Sequence, residues 1–222
     1  ASLGTTILYL NPISKSFSSH RYDTSDYKTP DPMLGTEADF VEMCNAAHRR
    51  GMKVVLDGVY SHTGSNSMYF NKDGIFPGQG AYQSQNSPYY GWYDFKNWPN
   101  VYKSWWGFDT LPTVNKMHPD FIRYVITDAD SVVAHWLKLG ADGFRLDVVD
   151  QIGKDPELRV TGNGPRLHEY LREMSQKAFL EEGLVVVGEA WGADVERAKL
   201  YSAPDGSEMS MVFQFQHMCL DQ

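Results

Sequence analysis

Cysteine is scarce in this chain. Only Cys44 and Cys219 occur among 222 residues, too few for a disulfide framework. Free cysteine packs as a small hydrophobe, so both are expected to be reduced and buried. Long apolar runs are absent as well. No segment approaches the roughly 20 residues that span a bilayer, so no membrane partner is expected. No charged n-region followed by an apolar core opens the chain, and the location expected on that ground is cytoplasmic. Positive charge is in deficit: 20 Lys and Arg face 28 Asp and Glu, a formal net charge of −8. A nucleic-acid partner, which favours a basic face, is therefore not expected. No G-x-G-x-x-G follows the first apolar run and no Walker A sequence occurs, which removes the two commonest nucleotide-binding signatures.

Against these shortages stands an excess of aromatics, 14% of the chain, with six Trp and thirteen Tyr. The remaining composition is that of an ordinary globular protein, long enough for one large domain or two small ones.

Three apolar runs each end in a carboxylate. They are Lys53-Val54-Val55-Leu56-Asp57, Gly143-Phe144-Arg145-Leu146-Asp147 and Leu184-Val185-Val186-Val187-Gly188-Glu189. Unbroken β-branched runs suit parallel strands covered on both faces. Alternate residues of a strand share a face, so Arg145 and Asp147 point the same way. Two further runs, residues 5–10 and 211–215, read as strands.

Between them lie helical patterns. Thr36 is a candidate N-cap with Asp39 three residues on, followed by a stripe of Phe40, Met43, Cys44 and Ala47. A helical period runs from Phe121 to Leu137, another from Pro165 to Glu182, and a short helix is expected around residues 194–200. Residues 14–34 read as a polar loop. Strand–helix alternation of this kind implies an α/β fold. Carboxylates on successive strand ends favour a (β/α)8 TIM barrel over an open doubly wound sheet, because the C-terminal rim of a barrel is where its chemistry collects.

The alternation fails between His62 and about His118, a stretch rich in Gly, Asn, Ser, Pro and aromatics. A structureless loop of that length is improbable inside a compact domain. The expected organisation is a barrel portion over 1–62, an inserted subdomain over 63–118, and a second barrel portion over 119–222. The inserted aromatics read either as a small core of their own or as a wall on which sugars stack.

Asp57-Gly-Val-Tyr-Ser-His62, Gly143-Phe-Arg-Leu-Asp147 and Gly188-Glu189-Ala-Trp191 resemble, in order and spacing, three conserved regions of the α-amylase family of glycoside hydrolases. Residues 61–112 are similar to the neopullulanase and amylopullulanase branch, and residues 163–221 to oligo-1,6-glucosidases and α-glucosidases. The resemblance implies a partial barrel, about strands 2–6, with the family's domain B inserted after the third strand and further strands lying beyond both ends of this chain. It implies a retaining glycosidase acting on α-glucosidic bonds of starch-derived glucans or oligosaccharides through a covalent glycosyl-enzyme. Asp147 would be the nucleophile and Glu189 the general acid/base. Tyr22, Asp57, His62, Arg145 and Trp191 would surround the sugar. No cofactor is implied. Ser61 stands where calcium-dependent members usually carry Asn, so calcium is not supported, and no ligand spacing around His62 marks a metal site.

The chemistry suits those residue types, since retaining hydrolysis needs one attacking carboxylate and one carboxylic acid about 5–5.5 Å apart. Arg145 is expected to keep Asp147 ionised, and burial to raise Glu189. His62 is expected to donate to sugar hydroxyls and Asp57 to brace Arg145. The alternative is an inert barrel fragment or a non-enzymatic carbohydrate-binding or scaffolding relative. Presence of both Asp147 and Glu189 argues against the latter. No residue pattern sets an oligomeric state.

Overall fold

A computed structural model describes residues 2–151, 162–179 and 183–219. The chain begins with strand β1 (Ile7–Tyr9), then an antiparallel pair, β2 (Ser14–Ser16) and β3 (Thr24–Pro30). The expected polar loop over 14–34 is therefore partly a hairpin. Thr24, Ser25, Tyr27 and Pro30 of β3 are buried, so its polar appearance hides residues that face inward. Helix α1 (Glu37–His48) follows, and its start is closed on both sides as expected. Thr36 Oγ1 accepts from the Asp39 amide, and the Asp39 carboxylate accepts from the Thr36 amide. Phe40, Cys44 and Ala47 bury its inner face. Cys44 is buried and free, whereas the Cys219 side chain lies outside the described residues.

Strand β4 (Lys53–Gly58) comes next. The 63–118 stretch then carries a two-stranded sheet of β5 (Phe95–Asn97) and β6 (Val101–Tyr102), together with short 3₁₀ turns. Its rings pack on one another: Phe70 lies 4.8 Å from Tyr93 and 4.7 Å from Tyr102, centroid to centroid. Through Tyr69 and Trp92 this packing continues into the main core, against Tyr27 and Phe121.

The helix expected over 121–137 is broken in two. Helix α2 (Pro119–Ile122) runs into a π-helical turn, Arg123–Thr127, and helix α3 (Val132–Lys138) begins afresh. The cause is the Asp128-Ala-Asp-Ser131 stretch. Ser131 Oγ donates to the Ile126 carbonyl and accepts from the Ala134 amide, a local cap that outcompetes continuation of the helix. Strand β7 (Gly143–Leu146), helix α4 (Leu167–Ala178), strand β8 (Val185–Gly188), helix α5 (Val195–Tyr201) and strand β9 (Met211–Val212) complete the chain. Part of the helix expected to reach Glu182 lies outside the described residues.

The main sheet has the order β1-β4-β7-β8-β9, and every neighbouring pair is parallel. Spatial order equals chain order, with no reversal. Right-handed crossovers that always step the same way put every helix on one face, whereas a doubly wound sheet reverses at a switch point. The sheet is thus an arc of barrel wall.

Val54, Leu56, Phe144, Leu146 and Val186 pack with Phe40, Val133, Trp136, Leu167 and Leu171 in one core. Gly143 is required where β7 meets β8. Its φ is +153°, and a Cβ there would sit 1.9 Å from the Val185 carbonyl oxygen. Among the described residues no helix is long and apolar enough to cross a membrane.

Candidate active site

Strand register sets the site. Asp57 on β4 is the partner of Arg145 on β7, and Arg145 is the partner of Val187 on β8. Two residues further along each strand, the pleat returns to the same face, so Asp147 and Glu189 stand level on neighbouring strands about 4.8 Å apart. Backbone bonds continue past the regular strand ends to hold this level: Asp147 donates to the Gly58 carbonyl at 3.1 Å and Glu189 to the Leu146 carbonyl at 3.0 Å.

One guanidinium joins the three carboxylates. Arg145 Nη1 lies 2.7 Å from Asp57 Oδ1 and 2.8 Å from Asp147 Oδ1, and Nη2 lies 2.6 Å from Glu189 Oε2. Asp147 and Glu189 therefore fall within the span of a single planar fork. Glu189 is held further by the Val148 amide on Oε2, at 3.0 Å, and by Trp191 Nε1 on Oε1, at 3.0 Å. Phe213 covers the guanidinium, 5.8 Å from its centre.

The electrostatics differ from the sequence expectation at Asp147. Arg145 was expected to hold that carboxyl low. Instead burial pushes it up, to about 7. The attraction of Arg145 works against this shift, while the charges of Asp57 and Glu189 add to it. Asp57 is raised for the same first reason, burial, with Arg145 again opposing. The physical reason is arithmetic: one cation cannot neutralise three carboxylates in a site that excludes water.

Tyr22 and His62 stand beside this cluster. The Tyr22 hydroxyl donates to Asp57 Oδ2 at 3.0 Å, and burial together with the Asp57 charge pushes its phenol up to about 12. His62 is 2% exposed. Its Nδ1 pairs with Ser61 Oγ at 2.7 Å and its Nε2 with the Tyr22 carbonyl at 3.1 Å. His62 thus grips the backbone of Tyr22. Trp191, 62% exposed, stacks on Phe215 with centroids 4.7 Å apart and planes 9° from parallel.

A cleft of about 710 Å³ opens next to the carboxylates, lined by Trp105, Trp106, Val148, Asp150, Gln151 and Trp191 among others. Asp147 and Glu189 are each 8% exposed, and it is their chain neighbours Val148 and Trp191 that form the cleft wall. The seven residues singled out from the sequence form one bonded cluster, from His62 through Tyr22, Asp57 and Arg145 to Asp147, Glu189 and Trp191, and of them Trp191 lines the cleft.

Tyr9 was not among them, yet its hydroxyl donates to Asp57 Oδ2 at 2.7 Å. A tyrosine closing an apolar strand, in line with the carboxylates that close the others, was the available signal. Phe213 and Phe215 were likewise read only as strand residues.

Comparison with known proteins places the geometry in context. The alpha amylase catalytic domain matches residues 1–222. The chain is 36% identical to a glucan 1,6-alpha-glucosidase of Streptococcus dysgalactiae subsp. equisimilis over 98% of this chain and 42% of that protein. It is 40% identical to an amylopullulanase of Thermoanaerobacterium thermosulfurigenes, over 69% of this chain and 9% of that protein. The crystal structure of Bacillus licheniformis trehalose-6-phosphate hydrolase superposes with a TM-score of 0.80 at 29% identity, covering 97% of this chain and 43% of that one.

Proposed function

Because the chain belongs to the alpha-amylase catalytic-domain family, we propose that the whole protein is a retaining glycosidase of α-glucosidic bonds in starch-derived glucans or oligosaccharides. The parallel sheet is accordingly part of a (β/α)8 TIM barrel, and the chain spans 42% of the length of the glucan 1,6-alpha-glucosidase it matches.

The observation that carries the proposal is the Arg145 fork, which holds Asp147 and Glu189 side by side at a cleft. In this reading Asp147 attacks the anomeric carbon and forms the glycosyl-enzyme while Glu189 protonates the departing oxygen. Glu189 then takes a proton from water, which displaces Asp147 and restores the original anomeric configuration. Asp57 braces Arg145. Tyr22, positioned by His62 and by its bond to Asp57, supplies a face for the sugar at the cleavage point, and Trp191 supplies one beyond Glu189.

Bonds of the α-1,6 type are placed first. They come first in the assay only: relatives named for α-1,6 bonds match 98–99% of this chain, an alpha-glucosidase matches 99% as well, and coverage does not rank the two bond types. No resident cofactor enters the mechanism. The test is incubation of the whole protein with isomaltose, maltotriose, pullulan and starch, with the first-formed anomer followed by NMR. Release of the α-anomer is expected; initial release of the β-anomer excludes the two-step mechanism.

A further inference from the structure

Two phenols close on one carboxylate oxygen. The Tyr9 hydroxyl donates to Asp57 Oδ2 at 2.7 Å, and the Tyr22 hydroxyl donates to the same atom at 3.0 Å. Asp57 Oδ1 lies 2.7 Å from Arg145 Nη1, and that one nitrogen also lies 2.8 Å from Asp147 Oδ1. A chain of contacts thus runs from Tyr9 on β1, through Asp57 on β4, to Arg145 on β7 and Asp147 just beyond it. The Asp57 side chain is fully buried, so every lone pair it offers must find its donor within the protein.

Strand pairing does not need the Tyr9 hydroxyl. Backbone bonds already hold β1 to β4: the Leu10 amide donates to the Val55 carbonyl at 2.9 Å, and the Lys53 amide to the Thr6 carbonyl at 2.9 Å. The phenol instead meets the charge of the cluster. A hydroxyl that donates to a buried carboxylate favours its ionised form. At Asp57 burial is the largest influence and pushes the carboxyl up, while the charge of Arg145 and the bonds from Tyr9, Arg145 and Tyr22 oppose it. Burial and the Asp57 carboxylate push the Tyr9 phenol itself well above its ordinary value, so it stays a donor. The other titratable groups facing Asp57 and Asp147 are Tyr22, Tyr27, Tyr60, Arg145 and Glu189, with His62 behind Tyr22.

We propose that Tyr9 is a positioning residue for the reaction, acting through Asp57: its hydroxyl holds Asp57 as a charged acceptor on Arg145 Nη1, and thereby limits the share of that guanidinium left to Asp147. Without the hydroxyl, Asp57 keeps a proton to higher pH. A neutral Asp57 neither repels Asp147 nor competes for Nη1, so Asp147 ionises at lower pH. Tyr9 thus sets the acid edge of the range in which Asp147 can attack. The inference rests on the glycosidase reading for this kinetic consequence, but not for the titration of Asp147.

Tyr9→Phe deletes one hydroxyl and keeps the ring. The substrate is α-glucosyl fluoride, which has no leaving-group sugar to protonate, so its acid limb reports the attacking carboxylate. In the whole protein that limb of kcat/KM is expected to lie below the parent's by about half a pH unit or more. The carboxyl carbon NMR resonance of Asp147, assigned by its loss in Asp147→Asn, should titrate lower by the same interval. On an Asp57→Asn background Tyr9→Phe should move neither, because the charge it acts through is gone. An acid limb or an Asp147 resonance unmoved by Tyr9→Phe, or moved equally on the Asp57→Asn background, overturns the proposal. If the parent protein is inert toward the fluoride and glucans alike, the glycosidase reading falls, and the Asp147 resonance alone decides how Tyr9 acts on that carboxyl.

Discussion

The backbone amide of Val148 donates to Glu189 Oε2 at 3.0 Å from a left-handed conformation, φ 40°. Val148 directly follows Asp147, so the turn that leaves β7 also orients the carboxylate at the end of β8. A β-branched residue at positive φ is an outlier whose strain costs about 1–3 kcal/mol. The position is spent on geometry at the expense of stability.

Val148→Gly relieves that strain while keeping the amide that bonds Glu189. Val148 is buried, 4% exposed, so loss of its side chain, about 2 kcal/mol, offsets strain relief of about 1–3 kcal/mol, and Tm in calorimetry should stay near the parent's. Turnover should fall only modestly. A lower Tm contradicts the strain argument.

Among the described residues, Arg145 is the single cation paired with the three buried carboxylates. Replacing it with Met leaves those charges uncompensated, and stability should drop by about 3–5 kcal/mol. Arg145→Lys should rescue little, because a point charge cannot span two carboxylates as a planar fork does. Urea titration of both variants beside the parent decides the matter.

Asp147→Asn and Glu189→Gln remove the proposed nucleophile and proton donor. Turnover of the whole protein should fall by about a thousandfold or more in each. Asp147→Asn should nevertheless leave the fold as stable as the parent or more so, because it withdraws one negative charge from an over-acidic cluster. Near-parental rates in either variant remove the catalytic assignment.

Raised folded-state titration of Asp147 has a signed consequence for stability. Between its unfolded value, near 4, and about 7 in the fold, the native state holds a proton that the unfolded chain has lost. This group's contribution is therefore fully present at the acid end and is lost as pH rises across that window. Tm measured from pH 4 to 7 should carry a falling component that disappears in Asp147→Asn. In the same window, kcat/KM on α-glucosyl fluoride should rise as the carboxyl ionises. An acid limb at the ordinary carboxylate value is the contrary outcome.

Much of this was legible in the chain itself. Unbroken runs such as Val54-Val55-Leu56 have no polar face, so they announced parallel strands buried on both sides. The Thr36–Asp39 cap needs only residues three apart, and it formed as read. The Arg145–Asp147 pairing follows from a period of two. Each of these depends on neighbours in sequence, and their physics is complete within a few residues.

What required the fold lies between segments. The 14–34 stretch pairs with itself because Tyr27 reaches an interior built by β4 and α3, and no local pattern reveals that burial. The helix over 121–137 breaks because one serine hydroxyl finds a carbonyl, a contest among nearly equal local options. Above all, the charge state of Asp147 was misjudged from its neighbour Arg145. The sequence shows that pair, but only tertiary packing brings Asp57 and Glu189 onto the same guanidinium and shuts out water. Electrostatic energy sums over every charge within reach, and that sum depends on distances that strand register alone creates.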